Sequence, residues 1–588
     1  MKTFLKMLLA TIVGGLVVVL LVFFIFMGIL GIVATSSRQP VQVKPNTVLL
    51  LNLNQTITDR SSKNPLEGFS FPDFKPSPAL GLNDILASIK KAKDDPNIKG
   101  ILLDLTVIPA GNSTVDEIRE ALTDFKTSGK FVISYADSYL QKSYYLASAA
   151  DKVYLNPAGN LLFVGLRAEV MFYKNMLEKI GVEPQIIRHG KFKSAVEPFM
   201  LDKMSKENRE QLSVFLNSVW QHMLEKISEA RHIPMEELNA MADGLKLRTA
   251  QDALQMKMVD SLIYRDQLLL LLDSLSGKKP VGKPELLSIA SYIKAPAVKP
   301  HKFVREKIAV VYASGEVVSG EGQEGSVGSD RISEAIRKAR KDSLIKAIVF
   351  RVNSPGGSAL ASEVIWREVK LAAETKPVVV SMGDVAASGG YYIACPAGTI
   401  VANPTTITGS IGVFGLLLNA KPLLEKKIGI TTDVARTNSY SDFGSFYRPL
   451  SEAEKEALQT EIEFIYSTFV SHVAEGRKMK YESVDSIGQG RIWSGLSASR
   501  LGLVDELGGL EKAIQLAARK ANLSEYRVVN LPELEDPLTQ LMKMLSENTS
   551  AKVLEKTLGD SWPFFRDLNQ ILSMQGVLAR MPFSLMIY

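Results

Sequence analysis

The residues best suited to chemistry in this 588-residue chain lie in one short stretch, residues 378–394, which reads VVVSMGDVAASGGYYIA. Its β-branched beginning, Val378–Val380, predicts a buried strand, and its end is compatible with the start of a helix. Between them Ser388 precedes two glycines, whose missing Cβ atoms leave room for a substrate to approach. A serine at such a strand-to-helix turn exposes its hydroxyl beside backbone N–H groups, as nucleophilic catalysis requires. Taken alone, the stretch is explained equally well as a close-packed structural turn.

A second glycine-rich stretch, Asn353–Ser358, reads NSPGGS and follows a predicted strand at residues 347–352. A Pro-Gly-Gly turn at the end of a strand leaves backbone N–H groups uncovered, which suits it to holding an oxyanion. Ser354 and Ser358 are alternative nucleophiles, although their position in the turn fits donor geometry better.

These two stretches belong to the second copy of a tandem repeat. Residues 85–105 (ILASIKKAKDDPNIKGILLDL) match residues 332–352 (ISEAIRKARKDSLIKAIVFRV) at an offset of 247 positions (332 − 85), and residues 134–147 fall on 381–394 at the same offset. Each copy alternates apolar strands with amphipathic helices, which predicts tandem α/β domains with parallel strands. The expected boundaries are repeat one at residues 45–276, a Lys-, Pro- and Gly-rich linker at 277–304, repeat two at 305–531 and a helical tail at 532–588.

The two copies have kept different chemical groups. Gln141 stands in repeat one where repeat two has Ser388, and the NSPGGS turn is degenerate there, reading TVIPAGN at residues 106–112. Conversely, repeat one carries Lys193, whereas the corresponding residues 437–446 of repeat two contain no lysine. This complementary retention predicts one composite active site to which both repeats contribute.

Simpler interpretations exist for three of these side chains. Judged only by the residues around it in sequence, Lys193 is explained as a solvated surface lysine. His189 lies four residues earlier and would be the base of a Ser-His site, but the repeat comparison gives it no support, so a loop histidine is the better interpretation. Asp384 recurs as Asp137 in repeat one, which favours a structural role in a turn over catalysis.

The amino-acid composition narrows the classes of function and of binding site that remain possible. The 69 basic and 63 acidic residues are interspersed and leave a net charge of +6, so nothing indicates a nucleic-acid partner. The single cysteine, Cys395, excludes an intrachain disulfide, and the five scattered histidines lack the spacing of a metal site. The sequence therefore predicts no metal and no cofactor.

The N-terminal segment predicts a membrane anchor. Residues 7–37 contain no charge, and residues 8–33 are almost wholly apolar, which is long enough to cross a bilayer. The apolar core is too long for a secretory signal peptide, and residues 32–34 are a poor cleavage site. Lys2 and Lys6 favour a cytoplasmic N-terminus. We therefore expect a single-pass protein of the cytoplasmic (inner) membrane, with both repeats on the extracytoplasmic, periplasmic side. The apolar end at residues 581–588 is too short for a second span and predicts a packing or oligomer contact.

Four motifs, KSAVEPF at 193–199, NSPGGS at 353–358, ASGGYYIA at 387–394 and TGSIGVFG at 408–415, together resemble the signal peptide peptidase A (protease IV) family. The resemblance is to its long, tandem-repeat, membrane-anchored form and covers essentially the whole chain. It implies two Clp-protease/crotonase-like domains and a membrane-bound serine endopeptidase with a Ser/Lys dyad. The expected substrates are signal peptides left after precursor cleavage and other short apolar peptides, and the expected assembly is a homotetramer.

Carried onto this sequence, the resemblance makes Ser388 the nucleophile and Lys193 the general base. It makes Gly357 and Gly389 the oxyanion N–H donors and Ser410 the hydroxyl that orients the lysine. A lysine acts as a base only when neutral, and burial between two domains lowers its pKa by disfavouring the charged form.

Two other classes stay open beside the peptidase. An acyl-CoA hydratase or isomerase of the same fold uses a similar pair of N–H donors, but such enzymes typically employ acidic residues and need no anchor. A non-catalytic membrane scaffold is the other class, against which the complementary retention of Ser388 and Lys193 argues.

Overall fold

The structure is a computed structural model that describes residues 41–61, 79–298, 304–534 and 576–581. It also describes positions 6, 13–18, 20, 21 and 24, and the backbone of residues 69–70 and 75–76. The predicted membrane anchor at residues 8–33 lies largely outside these residues. Within the part that the structure does describe, no helix has the length and apolar character needed to cross a membrane.

Repeat one is built on a parallel sheet flanked by helices. Its six described strands follow one another across the sheet in the order Ser261–Leu262, Lys152–Leu155, Phe131–Ala136, Ile98–Asp104, Thr47–Leu51 and Glu285–Ser288. The described helices of this repeat are Leu82–Asp94, Asn112–Lys126, Gln141–Ala147, Lys174–Ile180, Glu197–Met200, Lys206–Arg231, Met235–Asp243, Ala250–Gln255, Arg265–Leu275 and Ile289–Tyr292, with a 3₁₀ turn at Ser194–Val196. Helices on both faces explain why the central strands are continuous apolar runs rather than alternating ones.

The segment predicted as a linker, residues 277–304, contributes to this sheet. Its strand Glu285–Ser288 pairs in parallel with Thr47–Leu51, and the short helix Ile289–Tyr292 follows. Repeat one therefore continues past residue 276. The Lys-, Pro- and Gly-rich composition around a four-residue edge strand concealed it, because so short a strand carries no readable periodicity.

Repeat two has the same strand order. Its corresponding strands are Glu506–Leu507, Thr399–Ala402, Val378–Ala387, Ile345–Ser354, Lys307–Ser314 and Arg527–Leu531, and Ile407–Gly409 and Ile492–Ser494 extend the sheet beside the end of Val378–Ala387. Its described helices are Ser329–Lys341, Ala359–Ala373, Gly389–Ala394, Glu452–Arg477, Tyr481–Ile487, Gly495–Arg500 and Leu510–Lys520, with a π-helix at Leu423–Ile428. The first two helices lie 247 positions after Leu82–Asp94 and Asn112–Lys126 (329 − 82, 359 − 112), so the predicted tandem α/β organisation is confirmed.

A third sheet is assembled from distant parts of the chain, and we call it the cross-repeat sheet. Its order is Val327–Gly328, Val317–Val318, Gly356–Ser358, Gly576–Arg580, Phe414–Asn419 and Glu183–Arg188. The last strand comes from repeat one, and the fourth comes from the C-terminal segment predicted to be helical. That prediction is wrong for residues 576–580, whose β-conformation depends on partners more than 150 positions away. Two small two-stranded sheets pair Ile57–Thr58 with Leu80–Gly81 and Phe69–Ser70 with Lys75–Pro76.

A buried ionic cluster holds the two repeats together. The fully buried Arg351 of repeat two donates from Nε to Asp59 Oδ1 at 2.8 Å, and its Nη2 lies 2.8 Å from Glu117 Oε1, both carboxylates belonging to repeat one. Nearby, the Asp384 carboxylate accepts two hydrogen bonds from Thr114 of repeat one, from its backbone N–H at 2.9 Å and from its hydroxyl at 2.7 Å. A planar guanidinium matched by two carboxylates fixes orientation as well as contact, so the repeats are set in one geometry.

Candidate active site

The turn that carries Ser388 is strained. Strand Val378–Ala387 ends just before it and helix Gly389–Ala394 begins just after it. Ser388 has φ 54° and ψ −117°, a conformation that is costly for any residue with a side chain and that clusters at functional sites. The Ser388 N–H donates to the carbonyl of Gly409 at 2.8 Å, while its side chain makes no capping bond to the helix. The hydroxyl is therefore left for another partner.

That partner is Lys193 from repeat one. Its Nζ donates to Ser388 Oγ at 2.9 Å, to Ser410 Oγ at 3.1 Å and to the Ser410 carbonyl at 3.3 Å. Ser388 Oγ in turn donates to the carbonyl of Gly412 at 3.3 Å. Lys193, Ser388 and Ser410 are each 0% exposed. The structure thus brings together two side chains that lie 195 positions apart in sequence.

Burial lowers the pKa of Lys193 well below its ordinary value of 10.5. Desolvation is the cause, because an ammonium loses its hydration shell inside the protein. Its hydrogen-bond partners are hydroxyl and carbonyl oxygens, so none supplies the full negative charge that would restore the protonated form. A neutral amine in this position has a lone pair with which to accept the serine proton.

The loop that carries Lys193 is clamped between the repeats. The Phe192 N–H donates to the Gln489 carbonyl of repeat two at 3.0 Å. Gly490 has φ 84°, and a Cβ there would lie 2.6 Å from Lys193 Cα, so only glycine permits this approach. From the other side, Gln211 donates to the Phe192 carbonyl at 3.1 Å and accepts the Ile492 N–H at 3.1 Å. Sequence reasoning missed both Gln211 and Gly490, since neither belongs to a motif that carries chemistry.

The two glycines expected to donate to an oxyanion lie on adjoining segments. Gly357 is in the short strand Gly356–Ser358, and Gly389 directly follows Ser388. A Cβ on Gly356 would lie 2.6 Å from the Gly389 nitrogen, which shows how closely the two backbones approach. The neighbouring Ser358 caps a helix by accepting the Ala361 N–H at 3.3 Å. Ser354 accepts the Gly356 N–H at 3.2 Å, so both alternative serines have structural partners.

His189 lies outside this constellation. Its Nδ1 is 2.7 Å from Glu463 Oε2, and its ring stacks on Tyr466 with centroids 3.7 Å apart. Among the described residues, no group of three or more His, Cys, Asp or Glu side chains is arranged to hold a metal ion. The geometry therefore gives His189 a structural place beside repeat two, apart from Ser388.

In repeat one the position equivalent to Ser388 is filled. Gln141 Oε1 accepts the N–H groups of Val164 at 3.0 Å and Gly165 at 2.9 Å, and its Nε2 donates to the Gly165 carbonyl at 3.1 Å. Lys142, at the position of Gly389, donates to the Ala110 carbonyl at 2.7 Å. Gln141 and Lys142 are therefore tied to loops of repeat one by hydrogen bonds, and the position equivalent to Ser388 has no hydroxyl there.

Comparison with known proteins gives a consistent result. The model of peptidase family S49 matches residues 124–279 and 370–524, one segment in each repeat. Protease 4 of Haemophilus influenzae is 39% identical over 449 residues, covering 75% of this chain and 73% of that protein. Protease 4 of Salmonella typhi is 37% identical over 559 residues, covering 91% of this chain and 89% of that protein. The chloroplastic serine protease SPPA of Arabidopsis thaliana is 34% identical over 555 residues, covering 92% of this chain and 78% of that protein.

Solved structures with local similarity cover about one third of the chain. ClpP1 from Listeria monocytogenes aligns with 34% of this chain and 91% of its own, at 18% identity and a TM-score of 0.23. A mutant of the 1510-N membrane-bound stomatin-specific protease aligns with 39% of this chain and all of its own, at 15% identity and a TM-score of 0.27.

Proposed function

The chain belongs to peptidase family S49 and is a serine peptidase, and from that premise we propose that Ser388 is its nucleophile and Lys193 its general base. One observation carries the proposal: a buried lysine with a lowered pKa lies 2.9 Å from the hydroxyl of a strained serine. The alternative serines, Ser354 and Ser358, and the alternative base, His189, have structural partners instead.

In the proposed acylation step, Ser388 Oγ attacks the carbonyl carbon of a peptide bond while its proton passes to Lys193 Nζ. The resulting ammonium then gives that proton to the departing amine as the peptide bond breaks. Ser410 holds Nζ through its hydroxyl and its carbonyl, which keeps the lysine aimed at the serine in both protonation states. Because Ser410 carries no charge, it orients the amine without adding a negative charge that would raise the lysine pKa.

The proposed oxyanion donors are the N–H groups of Gly357 and Gly389. They are fixed by the backbone, so no reorganisation is needed when negative charge develops on the substrate oxygen. The acyl-enzyme is then hydrolysed by a water whose proton Lys193 accepts, which regenerates the serine. Each repeat is inferred to have the Clp-protease/crotonase-like fold, in keeping with its parallel sheet and flanking helices.

The proposed substrates are short apolar peptides, including signal peptides left after precursor cleavage. Apolar side chains adjoin the dyad, since Ala195, Val196 and Phe199 follow Lys193 and pack with Phe414 and Leu416 of repeat two. Burial of apolar side chains supplies about 25 cal/mol per Å², so a peptide bound along this cluster gains most from apolar residues.

The proposed setting is the inner membrane, with residues 8–33 as a single-pass anchor and both repeats in the periplasm. The uncharged apolar length of the segment supports this proposal. Extraction of membranes with alkaline carbonate tests it: the full chain should stay in the pellet, and release into the supernatant would contradict the anchor. Proteinase added to spheroplasts should degrade the repeats, whereas their protection would contradict the periplasmic placement.

Assembly into a homo-oligomer, by resemblance a tetramer, is also proposed, and exposed apolar side chains along residues 428–443 of repeat two support it. They belong to Ile428, Ile430, Val434, Tyr440 and Phe443. Exposed apolar side chains that gather into one patch mark protein contact sites, so this segment is the one to test. Light scattering coupled to size exclusion should report four chains for the wild type and fewer for Tyr440→Asp, and a wild-type monomer would contradict the proposal.

The deciding experiment is hydrolysis of a fluorogenic apolar peptide by the wild type, Ser388→Ala, Lys193→Ala and His189→Ala. We expect the first two variants to lose activity and His189→Ala to keep it. Wild-type rates in both dyad variants would disprove the assignment, and loss in His189→Ala alone would move the base to the histidine. Turnover of an enoyl-CoA thioester without peptide hydrolysis would instead favour the hydratase class.

A further inference from the structure

Two adjacent strands of repeat two meet one buried carboxylate of repeat one. Besides its salt bridge to repeat two, Asp59 accepts two hydrogen bonds at Oδ2, from the Ser314 hydroxyl at 2.8 Å and from the Asn353 amide at 2.8 Å. The two donors lie at the ends of strands Lys307–Ser314 and Ile345–Ser354. In a parallel sheet, ligands bind at the carboxyl ends of the strands, so this carboxylate stands on the side where the chemistry is expected.

Asn353 lies opposite a bulge in the strand that leads to the serine turn. The register between strand Ile345–Ser354 and strand Val378–Ala387 shifts at this point. Asn353 alone faces residues 383–385. A bulge bends its strand and leaves backbone groups without ladder partners. The Asn353 side chain supplies one such partner, since its Oδ1 accepts the Val385 N–H at 3.1 Å.

The Asn353 amide makes both of its bonds in one orientation only. The Val385 N–H needs the amide oxygen, and the carboxylate of Asp59 needs the amide NH₂ group, because an ionised carboxylate only accepts. Gly383 leaves the space that this side chain fills, since a Cβ there would lie 2.8 Å from Asn353 Cγ. Repeat one therefore fixes the direction in which the amide faces.

The turn that follows Asn353 lies directly against the serine turn. A Cβ on Gly390 would overlap the Ser354 carbonyl oxygen, and one on Gly356 would lie 2.6 Å from the Gly389 nitrogen. Backbones packed this closely do not shift independently of each other. The position of Asn353 therefore decides where the proposed oxyanion donors stand relative to the serine.

Repeat one also holds the middle of the bulge, through the two bonds from Thr114 to the Asp384 carboxylate. The matching positions of repeat one have no such role. Asp137, 247 positions before Asp384 (384 − 247), is exposed, and so is Thr106, which stands at the position of Asn353 (353 − 247). The contacts at the bulge therefore accompany the copy that carries the proposed nucleophile.

We propose that Asp59 and Asn353 form a positioning pair, through which repeat one sets the proposed oxyanion donors against Ser388. The pair acts through the backbone that it holds rather than on the reacting atoms. Repeat one then contributes to catalysis at two points, because it supplies the proposed base and also holds the turn that receives the negative charge. This inference rests on the proposed function.

Asn353→Ala tests the pair without removing the salt bridge of Asp59. It should lower kcat for the fluorogenic apolar peptide about 10²-fold with little change in KM, because misplaced oxyanion donors lose transition-state stabilisation of this size. Asn419→Ala is the matched control: Asn419 donates to Glu183 of repeat one at 2.7 Å, and its Oδ1 accepts the Lys421 N–H at 3.1 Å. The control should keep the wild-type kcat. Equal kcat values for the two variants would overturn the proposal.

Two further readouts separate positioning from a general loss of structure. When Ser388 Oγ adds to the carbon of an apolar peptide aldehyde, its proton passes to Lys193 Nζ, and the former carbonyl oxygen takes the proposed oxyanion position. The inhibition constant should rise in Asn353→Ala by the factor by which kcat/KM falls. The pH at which hydrolysis declines should stay at its wild-type value, because the lysine is untouched. An unchanged inhibition constant, or a shifted pH midpoint, would overturn the proposal.

Exchanging the two side chains tests the pair itself, and it serves also if Asn353→Ala does not fold. Asn353→Asp alone sets a second carboxylate against Asp59 and should lower kcat at least as much as Asn353→Ala. Adding Asp59→Asn restores one amide and one carboxylate and should recover kcat about tenfold, as expected for two side chains in direct contact. No recovery would overturn the pairing.

The outcomes also separate this inference from the proposed function. Wild-type activity in Ser388→Ala would disprove the proposed function. A normal kcat in Asn353→Ala beside an inactive Ser388→Ala would overturn the positioning pair and leave the proposed function standing.

Discussion

Repeat one and repeat two share a strand order and differ at the position of the proposed nucleophile. Both sheets have a strand that leads into a short helix, Phe131–Ala136 before Gln141 and Val378–Ala387 before Ser388. In repeat one the residue before the helix, Leu140, has relaxed extended angles, φ −81° and ψ 157°. In repeat two Ser388 itself precedes the helix at φ 54°. Repeat one therefore forms the same fold without the strained turn, so the fold alone does not explain the strain at Ser388.

The two repeats also differ in the loop that carries Lys193 in repeat one. Its loop around Lys193 folds into repeat two, where Gln489 and Gly490 receive it. The counterpart in repeat two, residues 437–446, stays largely exposed. Repeat one has thus kept the proposed base and repeat two the proposed nucleophile, and the comparison predicts that matched substitutions in the two repeats have unequal effects.

The largest difference is expected between Ser388→Ala and Gln141→Ala. Loss of a nucleophile or its base typically lowers kcat by about 10⁴-fold or more, so Ser388→Ala, Lys193→Ala and the double variant should be similarly inactive. Gln141→Ala removes hydrogen bonds to a loop of repeat one and should cost about 1–3 kcal/mol of stability while leaving kcat unchanged. Peptide hydrolysis and urea unfolding measure the two effects. A large fall in kcat for Gln141→Ala would show that repeat one is catalytic.

The second difference concerns how the repeats are joined. Arg351→Met leaves Asp59 and Glu117 buried without their cation and should lower the free energy of unfolding by about 3–5 kcal/mol. Lys90 and Glu511 also pair across the repeats, but both are exposed, so Lys90→Ala should cost no more than about 1 kcal/mol. Denaturant melts compare the two variants. Equal losses would mean that burial of the Arg351 cluster does not decide the docking.

A third test asks whether a substitution at Gly490 acts by straining the backbone or by displacing Lys193. Gly490→Ala places a Cβ against Lys193 and should reduce kcat about 10²-fold, because small displacements of a catalytic group have effects of this size. Gly429→Ala is the control, since Gly429 has φ 82° and nothing within 4 Å of an added Cβ. Steady-state kinetics should show a normal kcat for the control. A comparable loss in both would attribute the effect to strain alone.

The last test measures how stability and peptide hydrolysis depend on pH. Burial puts the pKa of Lys193 below its unfolded value of 10.5, so between the two values the unfolded chain binds the extra proton. Wild-type stability should therefore rise with pH through that window, and Lys193→Met should remove this part of the slope. Hydrolysis by the wild type should fall as the pH drops through the folded pKa. Parallel stability curves for the two proteins would mean that the lysine is charged when folded.

Much of this organisation was readable in the sequence. The 247-residue offset predicted the helices Ser329–Lys341 and Ala359–Ala373 from their partners, because amphipathic period and spacing are local properties. The juxtaposition of Lys193 with Ser388 was inferred from what each copy had lost. The strand at residues 576–580 and the clamp by Gln211 and Gly490 were not readable, because both depend on contacts between segments distant in sequence. No local pattern records such contacts.

A site divided between two domains ties hydrolysis to a completed chain. The repeat that carries Lys193 is synthesised before the repeat that carries Ser388, so the proposed dyad exists only once both repeats are present. Under the proposed mechanism, neither repeat alone is equipped to attack a neighbouring nascent chain. Because the Arg351 cluster fixes how the two repeats meet, folding of both repeats would itself switch on the proposed activity.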